Sequence, residues 1–166
     1  GGAMTSDGNF WYAQYFGDIG RFNTTTRKVD HIVSVPHGDG PHRLVVGDGD
    51  ILYVGLLGAG QVLKYDAKNL KELGRIDLPD RSSALYAVMW DEQRNALWMG
   101  TANNDSLLRY NIADATFVEY PLGIPDLTVR IIAIDSGSGD LWLANSPIPS
   151  DNPQARRVFR VRPGDL

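Results

Sequence analysis

Residues 96–111 read "ALWMGTANNDSLLRYN". A strand-like run around Trp98 breaks at Asn103-Asn104-Asp105, and a second run ends in Arg109-Tyr110-Asn111. Both runs return along the chain. "NFWYAQ" (9–14), "ILYVGL" (51–56) and "DLWLAN" (140–145) repeat the first, with Trp11, Tyr53, Trp98 and Trp142 spaced 42, 45 and 44 residues apart. "DIGRFN" (18–23), "QVLKYD" (61–66) and "RVFRVR" (157–162) repeat the second, with Arg21, Lys64, Arg109 and Arg160 in one place. A third strand ends in "SVP" (34–36), "DLP" (77–79) or "EYP" (119–121), and a fourth precedes each later aromatic strand. Four short strands in a unit of about 44 residues, separated by turn residues, predict an all-β chain of β-propeller blades, each a four-stranded antiparallel sheet. "GDGD" (47–50), "DEQRN" (91–95) and "SGSGD" (136–140) are hairpin turns. "AKNLKELG" (67–74) has helix-tolerant residues, but its counterparts "TTTRK" and "ADAT" are turns, so a hairpin is expected there.

The repeats run about 7–40, 41–83, 84–127 and 128–166. With strands lettered from the inner A to the outer D, the chain reads BCD, ABCD, ABCD, ABC. "GGAM" (1–4) resembles a cloning scar, so residues 1–6 are expected to be scar or linker outside the blades. Propellers hide their strand edges by closing a ring. Four blades of this kind therefore predict a half-ring: either a piece of a longer protein whose N-terminal half is missing, or a homo-oligomer in which a second copy completes the ring. The 166 residues contain no cysteine, which excludes disulfides and thiolate chemistry. A net charge of −4 offers no basic field for nucleic acid, and no apolar run is long enough for a membrane span.

The blade of the virginiamycin B lyase (streptogramin lyase) family reads Pro-His-Gly-Ile, a strand, Asp-Gly, Trp-Phe-Thr-Glu, a loop, Ile-Gly-Arg and Glu-Tyr-Pro-Leu. "DGNFWYAQ" (7–14), "DIGRFN" (18–23), "GPHRLVV" (40–46) and "FVEYPL" (117–122) resemble it piece by piece, and the likeness extends over nearly all of 7–166. "RRVFRVRPGDL" (156–166) resembles the end of such a chain, so the sequence is similar to the C-terminal half of a family member. NHL and SMP-30-type propellers, and the sensing propellers of hybrid two-component regulators, are more loosely similar. The resemblance implies a Mg²⁺-dependent carbon–oxygen lyase that opens a cyclic depsipeptide or lactone, secreted or periplasmic, with a Pro-His histidine as base. Only His42 stands on that motif. An imidazole takes an acidic proton near neutral pH, and a cation stabilises the resulting enolate. The family glutamate, however, is replaced by Gln14, Leu56, Thr101 and Asn145.

Propeller geometry gathers the loop before strand A and the loop after the aromatic strand on one face. The candidate ligand-binding residues are therefore Arg43, Tyr86 and Arg130, read as aligned at the heads of three inner strands, together with Gln14, Tyr15, Asn103, Asn104 and Asn145. Arginine forks bind carboxylates or carbonyl-rich ligands through paired N–H donors. "HGDGPH" (37–42) lacks the spacing of a metal site, and no metal ligands are assigned. Recurring Trp11, Trp98, Trp142 and Tyr53 are expected to pack blade on blade, with Arg21, Lys64 and Arg109 as structural cations or apolar stems and His31 structural. Non-repeating Trp90, Tyr15 and Phe16, and the insertion "NSPIPSDNPQARR" (145–157), are candidates for contact with a partner. Three functions follow: a binding module for a small molecule or protein on the loop-bearing face, the lyase with His42 as base and Mg²⁺ as electrophile, or a self-assembling half-propeller.

Overall fold

Successive side chains of a strand point to opposite faces, so the outer segments alternate in exposure while 96–101 is buried on both faces. Trp11 is fully buried while its neighbour Phe10 is 38% exposed. The computed structural model describes residues 1–147 and 151–163 and turns these segments into antiparallel strands. The strands fall in two units, Gly1–Ala84 and Leu85–Leu166.

The first unit holds two four-stranded sheets. One is formed by β1 (Gly2–Met4), β2 (Phe10–Ala13), β3 (Ile19–Asn23) and β4 (Lys28–Val33) in that order, the other by β5 (Pro41–Gly47), β6 (Ile51–Leu56), β7 (Gln61–Asp66) and β8 (Lys71–Asp77). The expected BCD start is corrected here, and so is the reading of residues 1–6 as a segment outside the blades. Gly2, Ala3 and Met4 pair with Tyr12, Trp11 and Phe10 and supply the inner strand. The edge of β2 presents unpaired backbone groups that any extended segment satisfies, and the Ala13 N–H also donates to the Gly1 carbonyl at 2.9 Å. The 67–70 stretch is a turn: Asp66 accepts from the backbone N–H groups of Lys68 and Asn69 at 3.0 and 2.9 Å, and β8 follows.

Trp11 is the centre of this unit's core. Its ring lies 5.6 Å from that of Tyr65 on the second sheet and 5.8 Å edge-on from His31, with Leu52, Val54 and Leu63 fully buried around it. The Arg21 guanidinium sits 5.9 Å over the indole while its Nε donates to Asp30 at 2.8 Å. His31 and the Tyr65 hydroxyl share a 2.8 Å hydrogen bond from one sheet to the other, so His31 is structural, and burial pushes the Tyr65 hydroxyl above its ordinary pKa. A second tie joins Ser6 to Asp50: the Ser6 N–H donates to one carboxylate oxygen at 2.8 Å and the hydroxyl to the other. These bonds, with Lys68 at 3.3 Å, hold the Asp50 carboxyl below its usual 3.8. A carboxylate with a depressed folded pKa contributes stability above the unfolded value, and that stability is lost as pH falls through the folded one. Asp50→Asn is therefore expected to lower stability at neutral pH and to flatten its decline below about pH 4, measured by denaturant unfolding across pH. An unchanged acid-side slope would contradict the assignment.

The second unit repeats the arrangement. β9 (Leu85–Asp91), β10 (Ala96–Thr101), β11 (Ser106–Asn111) and β12 (Thr116–Pro121) form one sheet; β13 (Leu127–Ile134), β14 (Leu141–Pro147) and β15 (Val158–Val161) form a three-stranded one among the described residues, matching the expected ABC end. Trp98 is fully buried, with the Arg109 guanidinium 5.8 Å over its ring, and packs with Leu107 against Val129, Ile132, Leu141 and Leu143. Its indole N–H donates at 2.9 Å to Asp91, a carboxylate 1% exposed that also receives Arg94 at 2.9 Å. Trp142 departs from the expectation of blade packing. The last sheet meets the third through Leu141 and Leu143, so Trp142 points to the opposite face and stays 42% exposed. Trp90 is half-buried on β9 beside Leu97. Within the 145–157 insertion, residues 148–150 lie outside the described residues. Beyond them Ala155 is fully buried in the unit's core and the Asn152 amide donates to the Pro125 carbonyl at 2.9 Å, so the described part packs down on the unit.

Candidate ligand-binding site

The inner strands carry a repeated irregularity. In β5 the pairing steps from Pro41–Leu56 to Arg43–Gly55; in β9 from Leu85–Thr101 to Ala87–Gly100; in β13 from Val129–Asn145 to Ile131–Ala144. Each step skips one residue, the signature of a β-bulge, which re-aims the extra side chain. The skipped residues are His42, Tyr86 and Arg130, each 44 positions after the last. The expected alignment of Arg43 with Tyr86 and Arg130 is thus corrected by one residue: His42 holds the equivalent place, and Arg43 is the paired residue after it.

In the second unit two of these bulge residues meet. Arg130 Nη1 donates to the Tyr86 hydroxyl at 2.6 Å, Nε donates to Ser146 Oγ at 2.7 Å, and the guanidinium lies 4.8 Å over the Tyr86 ring. Both acceptors are neutral hydroxyls. By contrast Arg21, Arg75, Arg94 and Arg160 each pair with a carboxylate. Arg130 is thus oriented by two hydroxyls and not neutralised by an ion pair among the described residues. Asn145, paired with Val129 at the same bulge, donates to the carbonyls of Leu143 and Arg157 at 3.2 and 3.1 Å, while its buried Oδ1 has no hydrogen-bond partner among the described residues. Asn104 donates weakly to Glu119 at 3.4 Å, and Asn103 is exposed in the same turn. Ser146 was not among the residues singled out from the sequence; its place opposite Thr128, beside the bulge, makes it a partner of Arg130.

In the first unit the turn after β2 and the loop before β5 enclose a pocket of about 340 Å³ lined by Tyr15, Phe16, Val35, Pro36 and His37. Phe16 is 86% exposed and lies edge-on to Tyr15 at 4.5 Å; Tyr15 in turn meets the half-buried His42 ring edge-on at 6.1 Å. Gln14 is exposed and closes the turn, accepting from the Gly17 N–H at 3.0 Å. The 36–40 loop is fixed from below. A Cβ on Gly58 would sit 2.0 Å from the Gly38 carbonyl oxygen, and Asp39 pairs with Arg75 at 2.8 Å. Arg43 lies near the Gly1 amino group, whose pKa is lowered by burial first and by that charge second.

The residues at the family glutamate positions do not form a Mg²⁺ set. Leu56 and Thr101 are buried, Gln14 and Asn145 are neutral, and the described residues hold no group of three or more His, Asp or Glu side chains placed to ligate a metal.

These sheets and their order define the fold: blades of a β-propeller. Among solved structures the chain is similar to a streptogramin B lyase, with 20% identity and a TM-score of 0.81, covering 99% of this chain and 51% of that one. It is also similar to a catalytically inactive histidine-to-alanine virginiamycin B lyase from Staphylococcus aureus with quinupristin, at 16% identity and TM-score 0.82 over 100% and 53% of the two chains. A third, Kuenenia stuttgartiensis hydrazine synthase, gives 17% identity and TM-score 0.79 over 99% and 46%. The chain thus spans about half the length of each, and at these identities the likeness is one of fold. No family model matches the chain, and no curated protein matches it. Among the described residues no helix is long and apolar enough to cross a membrane.

Proposed function

We propose that the protein is a binding module that takes a small molecule bearing a carboxylate or similar anionic group at Arg130. The observation that carries this reading is the arginine itself: a bulge aims it, two hydroxyls and an aromatic ring fix it, and no carboxylate among the described residues neutralises it. A fixed guanidinium loses little freedom when it engages an anion, and its remaining N–H groups can bind one through paired donors. The lyase reading draws support from His42 at the equivalent bulge, but no acid or metal set accompanies it among the described residues, so binding without chemistry is the better reading.

Titrating the chain with acetate, benzoate and inorganic phosphate, while following the Arg130 Nε–H signal by NMR, tests this. A saturable shift is expected, with affinity at least about tenfold weaker in Arg130→Gln, a loss of roughly 1.4 kcal/mol. Equal responses in the two proteins would remove the reading.

A further inference from the structure

The pocket of about 340 Å³ in the first unit shares no residue with the Arg130 site, and every residue lining it belongs to that one unit. Its walls are the turn between β2 and β3 and the loop between β4 and β5, so no sheet face takes part. Both walls are held by backbone hydrogen bonds. The Gln14 N–H donates to the Asp18 carbonyl at 3.1 Å across the turn. In the loop the Asp39 N–H donates to the Pro36 carbonyl at 3.0 Å, and the Leu57 and Gly58 N–H groups donate to the Gly40 and Asp39 carbonyls, each at 2.9 Å. A cavity whose walls are fixed beforehand loses little freedom on taking a ligand, and the volume is that of a small-molecule site.

The first wall is aromatic and acidic. The Tyr15 and Phe16 rings stand at 74° to each other and form a corner. Gly40, at φ +64, lets the Tyr15 ring lie against the loop, since an added Cβ would fall 3.1 Å from Tyr15 Cε2. Aromatic faces are negative and attract cations. Asp18, half-buried, lines the same pocket and forms no ion pair among the described residues. Asp30, Asp39, Asp91 and Asp140, by contrast, are each held by an arginine. The second wall, Val35, Pro36 and His37, is apolar but for the imidazole, and no lysine or arginine is among the described residues of the lining.

We propose that this pocket is a second ligand site, taking a small organic cation of the alkylated-ammonium type. The positive charge meets the Asp18 carboxylate, and the alkyl groups meet the Tyr15–Phe16 corner and the Val35–Pro36 wall. The preference is opposite in sign to that of the Arg130 site. A hard metal cation is a poor match, because it takes roughly six oxygen ligands and the lining offers a single carboxylate. A neutral ligand of the same shape leaves the half-buried carboxylate without a counter-charge.

Titrating the chain with choline, and with neohexyl alcohol, which has the same shape without the charge, separates charge from apolar contact. Run at about pH 8, the titrations lie above the ordinary histidine range. Choline is expected to shift the Tyr15 and Phe16 ring signals saturably in NMR spectra, and the alcohol to bind at least about tenfold more weakly. This comparison needs no variant. Asp18→Asn is expected to weaken choline about tenfold and to leave the alcohol unaffected. Phe16→Leu, which keeps apolar bulk but removes the π face, is expected to weaken choline about threefold to fivefold. Near-ultraviolet circular dichroism checks that both variants are folded. The absence of a saturable choline shift, equal affinities for the two probes, or unchanged choline binding in either folded variant overturns the proposal.

Discussion

Trp98→Ala is expected to cost about 3–5 kcal/mol, enough to unfold the second unit in a domain of ordinary stability. Three losses coincide. A fully buried indole leaves a cavity between β10 and β13 that Leu107 and Val129 cannot fill without moving strands. Asp91, 1% exposed, loses the 2.9 Å indole donor and keeps Arg94 as its remaining side-chain partner among the described residues. The Arg109 guanidinium loses the ring beneath it. Trp98→Phe separates the first loss from the second: it retains most of the volume and removes only the N–H, so a smaller cost of about 1–3 kcal/mol is expected. Denaturant unfolding of both variants measures the difference. Equal midpoints for Trp98→Phe and wild type would mean that the Asp91 bond contributes nothing.

Gly60→Ala is expected to destabilise the first unit by about 2–5 kcal/mol. The residue sits at φ +60, where an L side chain costs about 1–2 kcal/mol. A Cβ there would also lie 2.2 Å from the Arg81 carbonyl oxygen, a backbone atom that cannot rotate aside, and overpacking of that kind adds about 1–3 kcal/mol. Gly49 is the internal control. Its φ is +70, yet a Cβ would meet nothing within 4 Å, so Gly49→Ala carries the conformational cost alone. Unfolding midpoints that fall equally in the two variants would show that the 60–81 contact is looser than described.

The repeat was legible because Trp11 and Trp98 are large, rare and set by packing that recurs in each unit. What depended on pairing was not. β1 escaped notice because Gly2-Ala3-Met4 has neither β-branched nor aromatic residues; an open sheet edge, not propensity, makes it a strand. The bulge at His42 shifted the register by one, so a motif read by eye favoured Arg43, although the 44-residue spacing of His42, Tyr86 and Arg130 was present in the sequence. Trp142 looked like its three counterparts because exposure is decided by whatever covers a face, and no strand pattern records that. Of the candidate site, Tyr86 and Arg130 were found by position and meet each other. Ser146 was not separable from its neighbours, since its role follows from cross-strand pairing with Thr128. The pocket beside Phe16 follows from how two turns lie together, which sequence spacing did not specify.

The account rests on equivalent sheets in which a recurring tryptophan is sealed by the next sheet. Hydrogen exchange of the four indole N–H groups, followed by NMR, tests this most directly. Trp11 and Trp98 are expected to exchange only with unfolding of their units, and Trp142 at a rate close to that of an exposed indole. A Trp98 signal that exchanges as fast as Trp142 would contradict the account.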